Sequence, residues 1–362
     1  MKNILYIGKY NGIVGGIERY MQKSAELLRR NGFTVNYLYT ENGGRDQENF
    51  AGAFASLAEF SPDSSLISSA DMIIIHNIIP PEYLKALPES KTFFFAHDHN
   101  IYCRRHHYYW PVGRINCHGK YNKFICKLCS LGSNEAPPLA EYRKLPALVL
   151  SDFMAGNLHK NGFEKVFKLP AFIQTQAAGK AREFMPDGVL RILFLGQLIR
   201  GKGADLMLKA LARLDIPFSC TVAGDGKDRI MLEKMVEKFK LNSKVQFTGF
   251  VSTPEELWDH CDVFFFPIRW QEPFGLVGLE AMAHGVPVVA FDLGGVREHL
   301  TKAYGALIPE KNIRLAAQSL QDFYLHPQLL KEMGDNGLYL AKTKYSEKRF
   351  IEKFNEICKV LL

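Results

Sequence analysis

The sequence predicts an α/β protein made of two successive strand–helix alternations. Three observations carry this. Short apolar runs at 3–8, 33–39, 70–76, 91–96, 190–195, 218–223 and 262–267 alternate with stretches of helical periodicity. The runs are apolar almost throughout, as expected of parallel strands covered on both faces. A chain of 362 residues also exceeds what one core usually holds. The boundaries that follow are a first domain at 1–170, a linker at 171–188, a second domain at 189–345 and a terminal helix at 346–362.

The first strand, 3–8, runs into a glycine-rich turn, and Gly15-Gly16 opens a helix with Ile17, Tyr20, Met21, Ala25 and Leu28 on one face. The turn is not G-x-G-x-x-G, so it does not support a dehydrogenase. It suits close approach of backbone to a ligand. Asn31-Gly32 ends the helix. Three phenylalanines precede Ala96-His97-Asp98, which places His97 at the carboxyl end of a strand, where α/β proteins bind ligands. His97 there is a candidate acid, base or hydroxyl partner.

Residues 99–140 break the rhythm. This Cys/His-rich loop holds Cys103, Cys117, Cys126 and Cys129, four of the seven cysteines, with His106, His107 and His118 among them. Cys126 and Cys129 form a C-x-x-C knuckle. Reduced thiols at that density in a long loop predict a structural zinc on four thiolates. The alternatives are four free thiols or a redox pair at the knuckle. The other three cysteines read as packing residues.

Pro170, Gly179 and Pro186 punctuate the linker. Leu190–Leu195 then leads into Gly196-Gln197-Leu198-Ile199-Arg200-Gly201-Lys202-Gly203, a loop with cations just before a helix, suited to a diphosphate. Gly224-Asp225-Gly226 and Gly249 end two further strands, and Ser252-Thr253 signals a helix start. Next comes Glu272-Pro273-Phe274-Gly275-Leu276, reaching Glu280 seven residues beyond Glu272's own neighbour, then a stop at Gly285. Pro273 marks the helix start. The amides of Phe274, Gly275 and Leu276 are the unpaired first-turn donors that accept a phosphate. The two carboxylates accept from hydroxyls. Together they point to a sugar nucleotide. A terminal helix with Phe350, Ile351, Phe354, Ile357 and Leu361 on one face reads as a docking element.

In order and placement these motifs resemble a retaining GT-B glycosyltransferase of family 4, the glycosyl transferases group 1. The features are the Gly15-Gly16 loop, His97-Asp98, Gly196-x-Leu198-x-x-x-Lys202-Gly203, Gly224-Asp225-Gly226, Gly249, the Glu272/Glu280 pair and Gly294-Gly295. The resemblance implies two Rossmann-like domains facing a cleft, the second holding the donor, and the terminal helix returning to the first. It implies that Glu272 contacts sugar hydroxyls, Glu280 the ribose, and the amides of Phe274, Gly275 and Leu276 the sugar and phosphate. Lys202 would neutralise the departing diphosphate, so that no catalytic metal is expected. The segment after Gly249 would flank the base, Gly15 and Gly16 the phosphate, and His97 the transferred sugar. One position departs: the family's arginine after the first glycine is Gln197 here, which lacks a guanidinium fork. Arg200 or Arg269 would have to compensate.

The implied partners are a UDP- or GDP-linked hexose and a saccharide or lipid-linked acceptor in cell-surface polysaccharide biosynthesis. The same architecture also suits a sugar-nucleotide epimerase or a weakened binding protein. Net charge is +7, a mild pull towards anions that singles out no partner, and nucleic acid is not expected. No signal peptide or membrane span is legible. A cytoplasmic protein, in peripheral contact with the inner membrane face, is the expectation.

Overall fold

The computed structural model describes residues 2–110, 115–130, 136–174, 182–251 and 254–361, apart from the side chain of Leu361. Gly179 in the linker, the Ser252-Thr253 helix signal and the Leu361 side chain lie outside the described residues. The chain divides into two compact units. One comprises Met1–Pro170 with Glu347–Leu362, the other Ala171–Ser346.

The first unit is built on strands β1 (Asn3–Tyr10), β2 (Thr34–Glu41), β3 (Ser56–Glu59), β4 (Met72–Ile75) and β5 (Thr92–Phe95). A small antiparallel hairpin, β6 (Tyr109–Trp110) with β7 (Ile115–Asn116), precedes β8 (Ala147–Val149) and β9 (Val166–Lys168). The sheet order is β3-β2-β1-β4-β5-β8-β9, parallel throughout. Met72-Ile73-Ile74-Ile75 and Phe93-Phe94-Phe95 are buried on both faces. The closing helix Glu347–Leu361 packs on this unit: Phe354 meets Phe33 edge-on at 5.6 Å, and Arg30 pairs with Glu347 at 2.8 Å.

The second unit has β10 (Leu190–Leu195), β11 (Phe218–Ala223), β12 (Val245–Gly249), β13 (Val263–Phe266), β14 (Val288–Phe291) and β15 (Gly305–Ile308), in the order β12-β11-β10-β13-β14-β15. All of these pairs are parallel. Asp262, fully buried, anchors the start of β13 to β10. Its carboxylate takes a forked pair of bonds from Arg191, at 2.7 and 2.9 Å, and also accepts the amides of Met185 and Arg191.

In each sheet the strand order reverses at one place, between β1 and β4 and between β10 and β13. Connections leave such a point in opposite directions. The carboxyl ends of the two strands are thereby left open for a site.

One expected boundary moves. The helix expected to start at Pro273 begins at Leu276, with Gly275 as its N-cap in the left-handed conformation at φ +87°. Gly295 donates its amide to the Glu272 carbonyl at 2.7 Å, holding Glu272-Pro273 as a loop and delaying the helix.

Candidate functional site

At the second unit's switch point, β10 is followed by Gly196 and Gln197, and a single 3-10 turn, Arg200–Lys202, precedes the helix Ala204–Leu211. Gly203 joins the two at φ +74°, and a Cβ there would lie 1.7 Å from the Pro267 carbonyl oxygen. Only glycine allows this loop to lie against the segment leaving β13. The Arg269 amide donates to the Gly201 carbonyl at 2.8 Å and fixes the same contact.

That contact brings Lys202 and Glu272 together in an ion pair although they are 70 residues apart. The Lys202 ammonium also sits 5.5 Å from the centre of the Trp270 ring. Glu272 is buried, and Lys202 is half-buried. Phe274 is buried just before the N-cap, and Leu276 begins the helix Leu276–Ala283. Its first amides have no carbonyl one turn earlier to accept them and carry the positive end of the helix dipole. Glu280 lies half-buried along the same helix. His299 packs beneath the helix start, its ring 4.7 Å from Phe274. Burial pushes its pKa down to about 3, so it adds no cation there.

Gln197 and Arg200 are both exposed at the strand end. Arg269 is buried in an ion pair with Asp205. Of the two arginines expected to offset Gln197, Arg269 is therefore committed to structure, and Arg200 is the one that reaches solvent. Gly249 closes β12, and its carbonyl accepts the Gly224 amide at 2.7 Å.

In the first unit Gly15 caps the helix Gly16–Arg30, its amide donating to the Glu18 carboxylate at 2.8 Å. Among the described residues, no atom beyond its chain neighbours and its own helix backbone lies within 4 Å of where a Gly16 Cβ would be, so packing does not require a glycine there. His97 follows β5 and Ala96. Its ring stacks on Phe95 at 4.2 Å and stands 5.2 Å from Tyr20. Its Nε2 is 2.8 Å from Nδ1 of His76, the residue after β4, so one ring donates and the other accepts. Burial lowers both pKa values, that of His97 to about 3, and the pair is neutral near pH 7. This suits His97 to hydrogen bonding more than to acid catalysis.

His76 is the residue that sequence reasoning missed. The available signal was a histidine ending an otherwise aliphatic strand. Its Nε2 is buried without a partner among the described residues. Beside the pair lies a cavity of about 300 Å³ lined by Lys9, Asn77, His97, Asp98, Asn100 and Arg104. Asp98 accepts the Asn100 amide at 2.9 Å, while burial raises its pKa to about 6.

The four loop cysteines are free thiols. Cys103 and Cys117 pack against the core of the first unit, and Cys126 and Cys129 lie on the helix Lys123–Ser130. Among the described residues, no three His, Cys, Asp or Glu side chains are placed to hold a metal ion. Among the same residues, no helix is long and apolar enough to cross a membrane.

Residues 178–338 match the family described as Glycosyl transferases group 1. Over 116 residues the chain is 38% identical to an uncharacterized glycosyltransferase of Methanocaldococcus jannaschii, covering 31% of this chain and 30% of that protein. Over 122 residues it is 32% identical to the O-antigen biosynthesis glycosyltransferase WclY of Escherichia coli, covering 33% and 34%. The chain spans half or less of the length of these curated relatives. HepE of Anabaena, solved with UDP and glucose, superposes with a TM-score of 0.77 over 99% of this chain and 100% of that one, at 15% identity. The likeness shows the fold, GT-B, with two Rossmann-like units.

Proposed function

We propose that this chain, whose residues 178–338 match the family described as Glycosyl transferases group 1, moves a hexose from a nucleoside diphosphate sugar to a saccharide or lipid-linked acceptor, in cell-surface polysaccharide biosynthesis. The observation that carries the reading is the Lys202–Glu272 pair beside the helix start at Leu276. A cation, first-turn amides and hydroxyl acceptors there match a sugar diphosphate group by group. UDP is the first nucleotide to try, since HepE was solved with it.

In this reading the bond from the anomeric carbon to the diphosphate breaks, a bond to the acceptor oxygen forms on the same face, and the acceptor proton passes to the departing phosphate. Lys202 and the amides of Phe274, Gly275 and Leu276 stabilise the leaving charge without a metal. Glu272 orients the sugar hydroxyls, Glu280 the ribose, and the segment after Gly249 flanks the base. Arg200 stands in for the arginine missing at Gln197. His97, Gly15 and Gly16 keep the donor-side roles that the family resemblance implies.

Nucleotide sugars should raise the thermal stability of the wild type, by about 2.7 kcal/mol when free ligand is a hundred times Kd. Glu280→Ala should remove the shift. A variant that responds like the wild type rejects the nucleotide assignment. Consumption of the donor only when acceptor is present supports transfer, whereas isomerisation without acceptor would make the protein an epimerase.

A structural zinc on Cys103, Cys117, Cys126 and Cys129 remains part of this reading. Its support is the donor chemistry of four thiols carried by one loop. Elemental analysis of purified protein should find about one zinc per chain. Four titratable thiols and no metal would dismiss it.

A further inference from the structure

The helix Lys123–Ser130 is amphipathic with its apolar face outward. At 100° per residue, Phe124, Ile125 and Leu128 fall within one arc, with Cys126, Cys129 and Ser130 on the other side. The side chains facing inward are the small ones: Ser130 is buried, and the two cysteines are half-buried. The large apolar ones face solvent, with Phe124 81% exposed, Leu128 69% and Ile125 54%. A soluble surface rarely clusters three such side chains on two turns of helix without a use.

The charge of the loop that carries them is one-sided between Asp98 and Glu135. From residue 99 to residue 134 the sequence has six arginines and lysines and no aspartate or glutamate. Lys120, Lys123 and Lys127 are exposed, and among the described residues no carboxylate pairs with them. A second copy of this face would bring lysine against lysine. A protein partner would not need every charge to have one sign. A surface of acyl chains beneath anionic headgroups meets both features at once. A helix of eight residues is too short to cross a bilayer, so it would lie in the interface.

We infer that Lys123–Ser130 is a membrane-docking helix, which inserts Phe124, Ile125 and Leu128 below the headgroups of an anionic lipid surface while Lys120, Lys123 and Lys127 pair with the phosphates. The inference does not depend on the sugar or on the acceptor.

Cosedimentation of the full chain with vesicles tests it. Vesicles containing phosphatidylglycerol should carry the protein down, vesicles of phosphatidylcholine alone should not, and added salt should weaken the binding. Phe124→Ser with Leu128→Ser should lower partitioning more than about tenfold. Lys123→Glu with Lys127→Glu should lower it at least about fivefold for each charge removed. These side chains are exposed, so the melting temperature should stay at the wild-type value, which separates docking from misfolding. No binding to anionic vesicles would overturn the inference, as would equal binding by the serine variant. A dimer in light scattering that the serine variant abolishes would overturn it in favour of a second copy.

Discussion

Lys202→Ala should lower sugar-transfer turnover about 100- to 1,000-fold, the usual loss when one preorganised group facing a developing charge is removed. The cation sits on a 3-10 turn locked by Gly203 against Pro267, so it is positioned before any ligand arrives. Its partner Glu272 is held from behind by the Gly295 amide. The loss should fall mainly on kcat, because the charge on the diphosphate grows as the sugar departs. Lys202→Arg should recover part of the rate, since it keeps the charge and loses the reach of a point ammonium. The decisive measurement is turnover at saturating donor. A wild-type rate would remove Lys202 from the chemistry and leave the Lys202–Glu272 pair as structure.

Asp262→Ala should destabilise the second unit by about 2 to 5 kcal/mol, about 1 to 3 for each of the two backbone amides left without an acceptor. Asp262 is fully buried and gathers four bonds, two from the Arg191 side chain and two from backbone amides. Alanine would strand both amides and leave the guanidinium without its fork partner. Urea unfolding followed by hydrogen exchange in β10 and β13 should show the loss there. A chain with two units need not unfold in one step, so the residue-level readout matters. A cost below about 1 kcal/mol would mean that Arg191 and the amides find water instead.

The fold class was legible because its central strands are written in one kind of residue. Met72–Ile75 and Val263–Phe266 lie within the apolar runs that announced them, since a parallel strand covered on both faces carries no polar alternation. Ser56–Glu59 gave no such signal. It is an edge strand, largely exposed, and its sequence does not mark it as a strand. At the site, residue types and order were legible, but pairing was not. Nothing in the sequence tells that Arg269 answers Asp205, or that His76 meets His97, because each pair forms only when strand ends come side by side. The helix start shifted to Leu276 because the turn at Gly294-Gly295 packs on Glu272-Pro273, a contact with no local sequence signature.

The split of the first unit between Met1–Pro170 and Glu347–Leu362 bears on how the chain matures as it is made. The second unit is an insertion within the first. It can complete its sheet once residue 346 has left the ribosome, whereas the first unit still lacks the helix that buries Phe350, Phe354 and Ile357. Until then Phe33 lacks its aromatic neighbour. The sheet of the first unit has all its strands by Lys168, but part of its apolar surface stays uncovered until the helix Glu347–Leu361 is made, after the whole of the second unit.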